Sequence, residues 1–127
     1  MFELKIRKPF AGAHNLRDYN GKCENLHGHN WVVYLYVQGE SQQANGILVD
    51  FKTLKRCLND ILDELDHEYL NELAAFKEQN PSAENLARFI YQEAQKRMDL
   101  SENPNAWVSR VTVYETETSS ATYWEPK

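Results

Sequence analysis

The apolar period of this chain changes twice, and that order limits the fold more than any single residue does. Over residues 2–8, Phe2, Leu4 and Ile6 alternate with Glu3, Lys5 and Arg7, the period of a half-buried strand. His29 to Val37 is rich in β-branched and aromatic residues and reads as a second strand. Gly39 to Gly46 reads as a turn leading to a short strand, Ile47 to Val49. The period then becomes helical: Phe51, Leu54, Leu58, Ile61, Leu62 and Leu65 recur at helix spacing. Asp50 is placed as the N-cap, its carboxylate accepting from the free amides of the first turn. Residues 66–80 are mixed, and Asn80-Pro81 marks a boundary. A second helix is expected from about Ser82 to Met98, with Ala83, Leu86, Ala87, Ile90 and Ala94 on one face. Pro81 suits its start, where a missing amide costs nothing. Trp107 to Glu115 and Ala121 to Glu125 read as a closing hairpin. The order ββααββ predicts an α+β fold, a four-stranded antiparallel sheet with two helices on one face. The chain of 127 residues is expected to form one domain, 1–127, long enough to bury a core without staples.

Charge narrows the partners. The net charge is −5, which argues against a general nucleic-acid binder. Residues 1–22 nevertheless hold five basic side chains (Lys5, Arg7, Lys8, Arg17, Lys22) against Glu3 and Asp18. Such a zone on an acidic protein suits a small anion better than a polyanion, and a solvated strand face reads equally well. The longest apolar run, Trp31 to Val37, falls far short of the roughly 20 residues that span a bilayer. Neither a membrane partner nor a signal peptide is expected. Cys23 and Cys57 sit in unrelated contexts and do not read as a disulfide framework. The expected compartment is the cytoplasm.

The chemistry-bearing residues begin with His27-Gly28-His29. Residues two apart on a strand share a face, so two imidazoles there can converge on one cation, with Zn–N near 2.0–2.1 Å. His14, placed at the end of the first strand and alongside, is the candidate third ligand. Three histidines leave the open fourth position of a catalytic zinc. A lone H-x-H is a weak motif. Here, however, three of the four histidines in the chain fall between positions 14 and 29, around one hairpin. Cys23, in a polar loop four residues before His27, reads as a zinc ligand, a base or a bystander. Cys57, beside the apolar stripe of the first helix, reads as packing. If the helix has ended before Asp66-His67, the carboxylate can hold the imidazole in one tautomer, as an orienter holds a base. The other reading is a histidine favoured by the helix dipole. Glu115 continues the inward parity of Val111 and Val113. It is either a solvated rim residue or a bidentate partner for a flat heterocycle with adjacent N–H donors.

In this order, these residues resemble the 6-pyruvoyl-tetrahydropterin synthase family. The likeness covers nearly the whole chain. It is carried by Phe10-Ala11-Gly12-Ala13-His14, Cys23 with His27-Gly28-His29, and Val49-Asp50-Phe51 with Leu54-Lys55. It continues through Leu65-Asp66-His67, Pro81-Ser82-Ala83-Glu84-Asn85-Leu86, and Tyr114-Glu115-Thr116 with Thr118-Ser119. Within the family, the three residues between Cys23 and His27 are most similar to the 6-carboxytetrahydropterin branch of the queuosine pathway. One departure is Ser82, which stands where the family often has threonine.

The resemblance implies zinc on His14, His27 and His29. It implies Cys23 as the catalytic base with Asp66 and His67 as its acid–base partners, and Glu115 as the pterin anchor. It also implies the tunnelling fold, an oligomeric barrel and usually a homohexamer, with active sites shared between subunits. The implied substrate is 7,8-dihydroneopterin triphosphate, converted with release of acetaldehyde and triphosphate. The pyruvoyl branch, which keeps all three side-chain carbons, is the alternative. A non-catalytic zinc- or pterin-binding module is a third reading, but it would need none of Cys23, Asp66 and His67.

Overall fold

A computed structural model of the protein describes residues 1–126. Its first strand, β1 (Phe2–His14), pairs antiparallel with β2 (His27–Gly39) in unbroken register from Phe2↔Gly39 to His14↔His27. β1 therefore runs well past the alternating stretch 2–8. The small residues of Ala11-Gly12-Ala13 erase the apolar period that would have announced it. Pro9 is tolerated because β1 is paired on its outer side only at Gly12 and Ala13, leaving an open edge around it. Along β2, Trp31, Val33, Leu35 and Val37 are fully buried, while Val32, Tyr34 and Tyr36 are half-buried. One face of the sheet thus carries the core, as alternation requires.

That face is covered by α1 (Phe51–Asp63) and α2 (Ala83–Arg97). Asp50 caps α1 as expected, accepting from the Lys52 amide at 2.9 Å. The helix buries Leu54, Cys57, Leu58, Ile61 and Leu62, whereas Phe51, at the solvent end of the stripe, is exposed. The Ser82 hydroxyl caps α2 by accepting from the Asn85 amide at 3.1 Å. Leu86, Ala87, Ile90, Tyr91 and Ala94 face the core. Arg97 ties the two helices, pairing with Glu93 of its own helix and with Glu64 just beyond α1.

Two expectations are corrected. Among the described residues the sheet has five strands, not four, in the order β3-β1-β2-β4-β5, and it is mixed rather than purely antiparallel. The added strand, β3 (Glu68–Tyr69), runs parallel to β1 opposite Gly12 and Ala13. Two residues are too few to show a period, and backbone pairing needs no particular side chain, so the sequence carries no mark of it. The second correction concerns Ile47 to Val49, which is bent and unpaired. Leu48 and Val49 are buried as plugs in the core. Leu48 lies so close to Gly39 that a Cβ there would meet its Cδ1 at 2.5 Å. The Leu48 carbonyl is satisfied by the Asn103 side-chain amide at 3.0 Å, in place of a strand partner.

The closing hairpin is β4 (Ala106–Thr116) and β5 (Ser119–Tyr123). Its register breaks twice. Opposite β2 the break makes Ser109 the extra residue, and this lets Val108 and Val111 both face the core. Opposite β5 the extra residue is Glu115. Bulges of this kind re-aim a side chain, and the second one bears on the site.

Candidate active site

His14 closes β1, while His27 and His29 open β2. The register sets His14 opposite His27 and Gly12 opposite His29. All three histidines share the parity of the core face, at its open end. Trp31, two residues further along that parity, is their floor. Its ring meets His14 and His29 edge-on at 5.0 and 5.1 Å between centroids, and its N–H donates to the Gly12 carbonyl at 3.1 Å.

The ring nitrogens divide by partner. Nδ1 of His14 lies 2.8 Å from the Pro81 carbonyl, and Nδ1 of His27 lies 2.8 Å from the Asn25 carbonyl. A carbonyl only accepts, so both Nδ1 atoms carry the hydrogen and both Nε2 atoms present lone pairs. Those two Nε2 atoms are 3.1 Å apart. Oε1 of Glu115, re-aimed by its bulge, is 3.3 Å from His14 Nε2 and 3.0 Å from His29 Nε2. His29 Nε2 is buried without a hydrogen bond. Burial, with His14 and His27 beside it, pulls the His29 imidazole below its ordinary range against the opposing pull of Glu115. The ligand atoms of His14, His27, His29 and Glu115 lie within 4.8 Å of one another. Lone pairs and a carboxylate converging around an orphaned nitrogen fit a cation, and this donor set suits zinc.

The second group flanks β1. The chain leaves α1 at Asp63, so Asp66-His67 is clear of the helix. Asp66 Oδ1 accepts from the Ala11 amide at 2.9 Å, and His67 N–H donates to the Ala11 carbonyl at 2.6 Å. His67 takes a left-handed backbone, φ 59°, which turns its ring out. Asp66 Oδ2 holds His67 Nδ1 at 2.9 Å, leaving Nε2 free to move a proton. The Ala11 amide, and then His67, keep the Asp66 carboxyl below the usual carboxylate range. His67, Asn30, Tyr69 and His29 line one open cleft of about 450 Å³. Glu115 lines a separate cavity of about 210 Å³ with Glu84, Ser119 and Ser120.

Residues 3–126 match the family described as 6-pyruvoyl tetrahydropterin synthase. The chain belongs to this family. Similar members include the 6-carboxy-5,6,7,8-tetrahydropterin synthase of Bacillus subtilis, 33% identical, the match covering 96% of this chain and 84% of that one. The Synechocystis protein of the same name is 32% identical, with 93% and 89% covered. The human 6-pyruvoyl tetrahydrobiopterin synthase is 33% identical over 81% of this chain and 70% of its own. The solved 6-pyruvoyl tetrahydropterin synthase of Caenorhabditis elegans shares the fold, with TM-score 0.83 at 24% identity and 98% and 96% of the two chains covered.

Within this pterin synthase the structure gathers His14, His27, His29 and Glu115, and it joins Asp66 to His67. Cys23 stands apart: it is exposed and lies outside the metal cluster. No hydrogen bond joins it to Asp66 or His67 among the described residues. Cys57 is buried, and burial pushes its thiol up, as a packing residue requires. The basic zone is not one patch. Lys5 lies over the Tyr34 ring on the helix-free face, Lys8 Nζ reaches Asn59 of α1, and the Arg17 guanidinium is taken up by backbone carbonyls. The sequence reading missed Trp31, although its parity with His27 and His29 was the available signal. It also missed the Asn25 and Pro81 carbonyls, which no side-chain pattern reveals.

Proposed function

We propose that the chain is a zinc-dependent 6-carboxytetrahydropterin synthase acting in 7-deazaguanine and queuosine biosynthesis. It would convert 7,8-dihydroneopterin triphosphate and water to 6-carboxy-5,6,7,8-tetrahydropterin, acetaldehyde and triphosphate. The observation that carries the reading is the convergence of three imidazoles on one point, two with their tautomers fixed by carbonyls. The curated relatives in Bacillus and Synechocystis support the carboxy branch. The human relative favours the pyruvoyl branch as a second reading.

His14, His27 and His29 would hold the zinc. The bound metal supplies Lewis acidity at the side-chain hydroxyls of the substrate. Glu115 anchors the pterin, its carboxylate facing the N–H edge of the heterocycle from the cavity it shares with Glu84. The Cys23 thiolate removes a carbon-bound proton that the conjugated ring makes acidic. His67, held by Asp66, carries protons between oxygen and carbon.

Assembly belongs to the same reading. β1 has an open outer edge over residues 2–10, and β5 has one at the far side of the sheet. Successive antiparallel pairings from β1 through β2 and β4 leave β5 running opposite to β1. Copies placed side by side therefore pair edge to edge and antiparallel, a head-to-tail contact that closes into a barrel. In a homohexamer built on such rings, the Asp66–His67 pair of one copy would act beside Cys23 of another.

Product analysis of the purified protein with 7,8-dihydroneopterin triphosphate tests the function. Acetaldehyde and 6-carboxytetrahydropterin in equal amounts are expected. A three-carbon pyruvoyl pterin without acetaldehyde would give the second reading. No turnover by a zinc-loaded oligomer would leave a binding module.

A further inference from the structure

Segment 71–80 carries no strand or α-helix, yet it must deliver the Pro81 carbonyl to His14. It contains the 3₁₀ turns Leu70–Glu72 and Ala74–Phe76, whose final carbonyls have no partner within the turns. Arg17 supplies them. Its Nη2 donates to the Asn71 carbonyl at 3.1 Å and the Phe76 carbonyl at 2.8 Å, and its Nη1 donates to the Gln79 carbonyl at 3.2 Å. Two side-chain amides complete the clasp. Asn71 accepts from the Asn15 amide at 3.0 Å and donates to the Asn15 carbonyl at 2.8 Å. Asn80 does the same to Arg17, at 2.8 and 3.0 Å. Asn15 and Arg17, just after His14, are thereby tied to the two ends of the segment that leads to Pro81.

We propose that Arg17 is a positioning residue for the metal site: its guanidinium holds segment 71–80 so that the Pro81 carbonyl fixes the ring and tautomer of His14. A charge of this sign within the basic zone of residues 1–22 reads as an anion contact in the sequence. In the fold its donors are directed at neutral carbonyls instead. The planar fork matters, because three carbonyls in different directions match several fixed N–H vectors. A lysine offers one point charge on a flexible stem and does not reproduce this.

The inference deepens the zinc reading, and its test keeps the two separable. Arg17→Met and Arg17→Lys are compared with the wild type in zinc affinity, measured by chelator competition. The His14 tautomer in the metal-free protein, read from ¹⁵N chemical shifts, is the second measurement. The wild type should show a single Nδ1–H tautomer. Both variants should mix tautomers and bind zinc about tenfold or more weakly, the loss typical when a partner behind a ligand is removed. Arg17→Lys decides the matter if Arg17→Met does not fold. A lower melting temperature with zinc affinity and tautomer unchanged would overturn the role and leave Arg17 as a structural clasp. If the wild type itself holds no zinc, the metal reading fails, and the tautomer alone decides whether Arg17 positions His14.

Discussion

The histidine cluster and the Asp66–His67 pair both grow from the last few residues of β1, yet they are finished to different degrees. The cluster is the more enclosed of the two. His14 is 1% exposed, Trp31 lies beneath it, and two carbonyls fix its rings. The pair is bound to β1 only through its backbone and one carboxylate oxygen, and the His67 side chain is 82% exposed. Cys23 is exposed as well. The difference teaches a division of labour. Metal binding needs a preorganised pocket that one chain can build, whereas in the proposed function proton transfer would draw on a second copy docked at the open strand edges.

The largest effect should come from breaking the finished half. The wild type is expected to carry about one zinc per chain, and His27→Ala or His29→Ala should lose most of it, and activity with it. Elemental analysis checks this. Full zinc retention in both variants would remove the metal centre. Breaking the other half should cost rate but not metal. His67→Ala should keep zinc and slow acetaldehyde release by about 10²–10⁴-fold. Combined with Cys23→Ala, it should lose much less than the product of the two factors, because residues acting as a unit are non-additive. Multiplicative losses in steady-state assays would mean that the two act independently.

Glu115 belongs to the cluster by geometry and to the substrate by its proposed role, and so sharpens the comparison. Glu115→Gln exchanges an acceptor for a donor and should weaken pterin binding by about 1.5–3 kcal/mol. Calorimetry gives the pterin affinity and elemental analysis the zinc. Pterin loss with zinc intact fits an anchor, while loss of both places Glu115 in the metal's own shell, as its 3.0 Å approach to His29 allows.

The smallest effect concerns pH. The Asp66 carboxyl is held below its ordinary value by the Ala11 amide and by His67. Its contribution to stability is therefore complete above the ordinary carboxylate range and fades as pH falls through the lowered value. Melting temperature measured downward from about pH 5 should fall less steeply in Asp66→Asn than in the wild type. Parallel curves would show that the carboxylate does not anchor β1.

How far the site could be read in advance follows from what each part depends on. The β2 strand and both helices are visible because burial imposes a period, and the α1 cap because Asp50 answers free amides, whereas Ser82, read as the first residue of the second helix, is its cap. The H-x-H pair is visible for the same reason, since strand parity alone puts both imidazoles on one face. β3 is not, because two residues joined through backbone atoms leave no side-chain signature. Ile47 to Val49 misleads because apolar plugs and short strands look alike. Glu115 lies on the face that its parity with Val111 and Val113 predicts, and only its final aim depends on the bulge there. The use of Arg17 depends on where three distant carbonyls end up, a property of the folded chain that local pattern does not contain.

The division between the two halves is tested most directly in one sample of Cys23→Ala, by measuring zinc content and acetaldehyde release together. The account predicts about one zinc per chain, with release slowed by about 10²–10⁴-fold. Zinc and activity lost together would make Cys23 a ligand and merge the halves. Zinc retained with release near the wild-type rate would contradict the proton-transfer role outright.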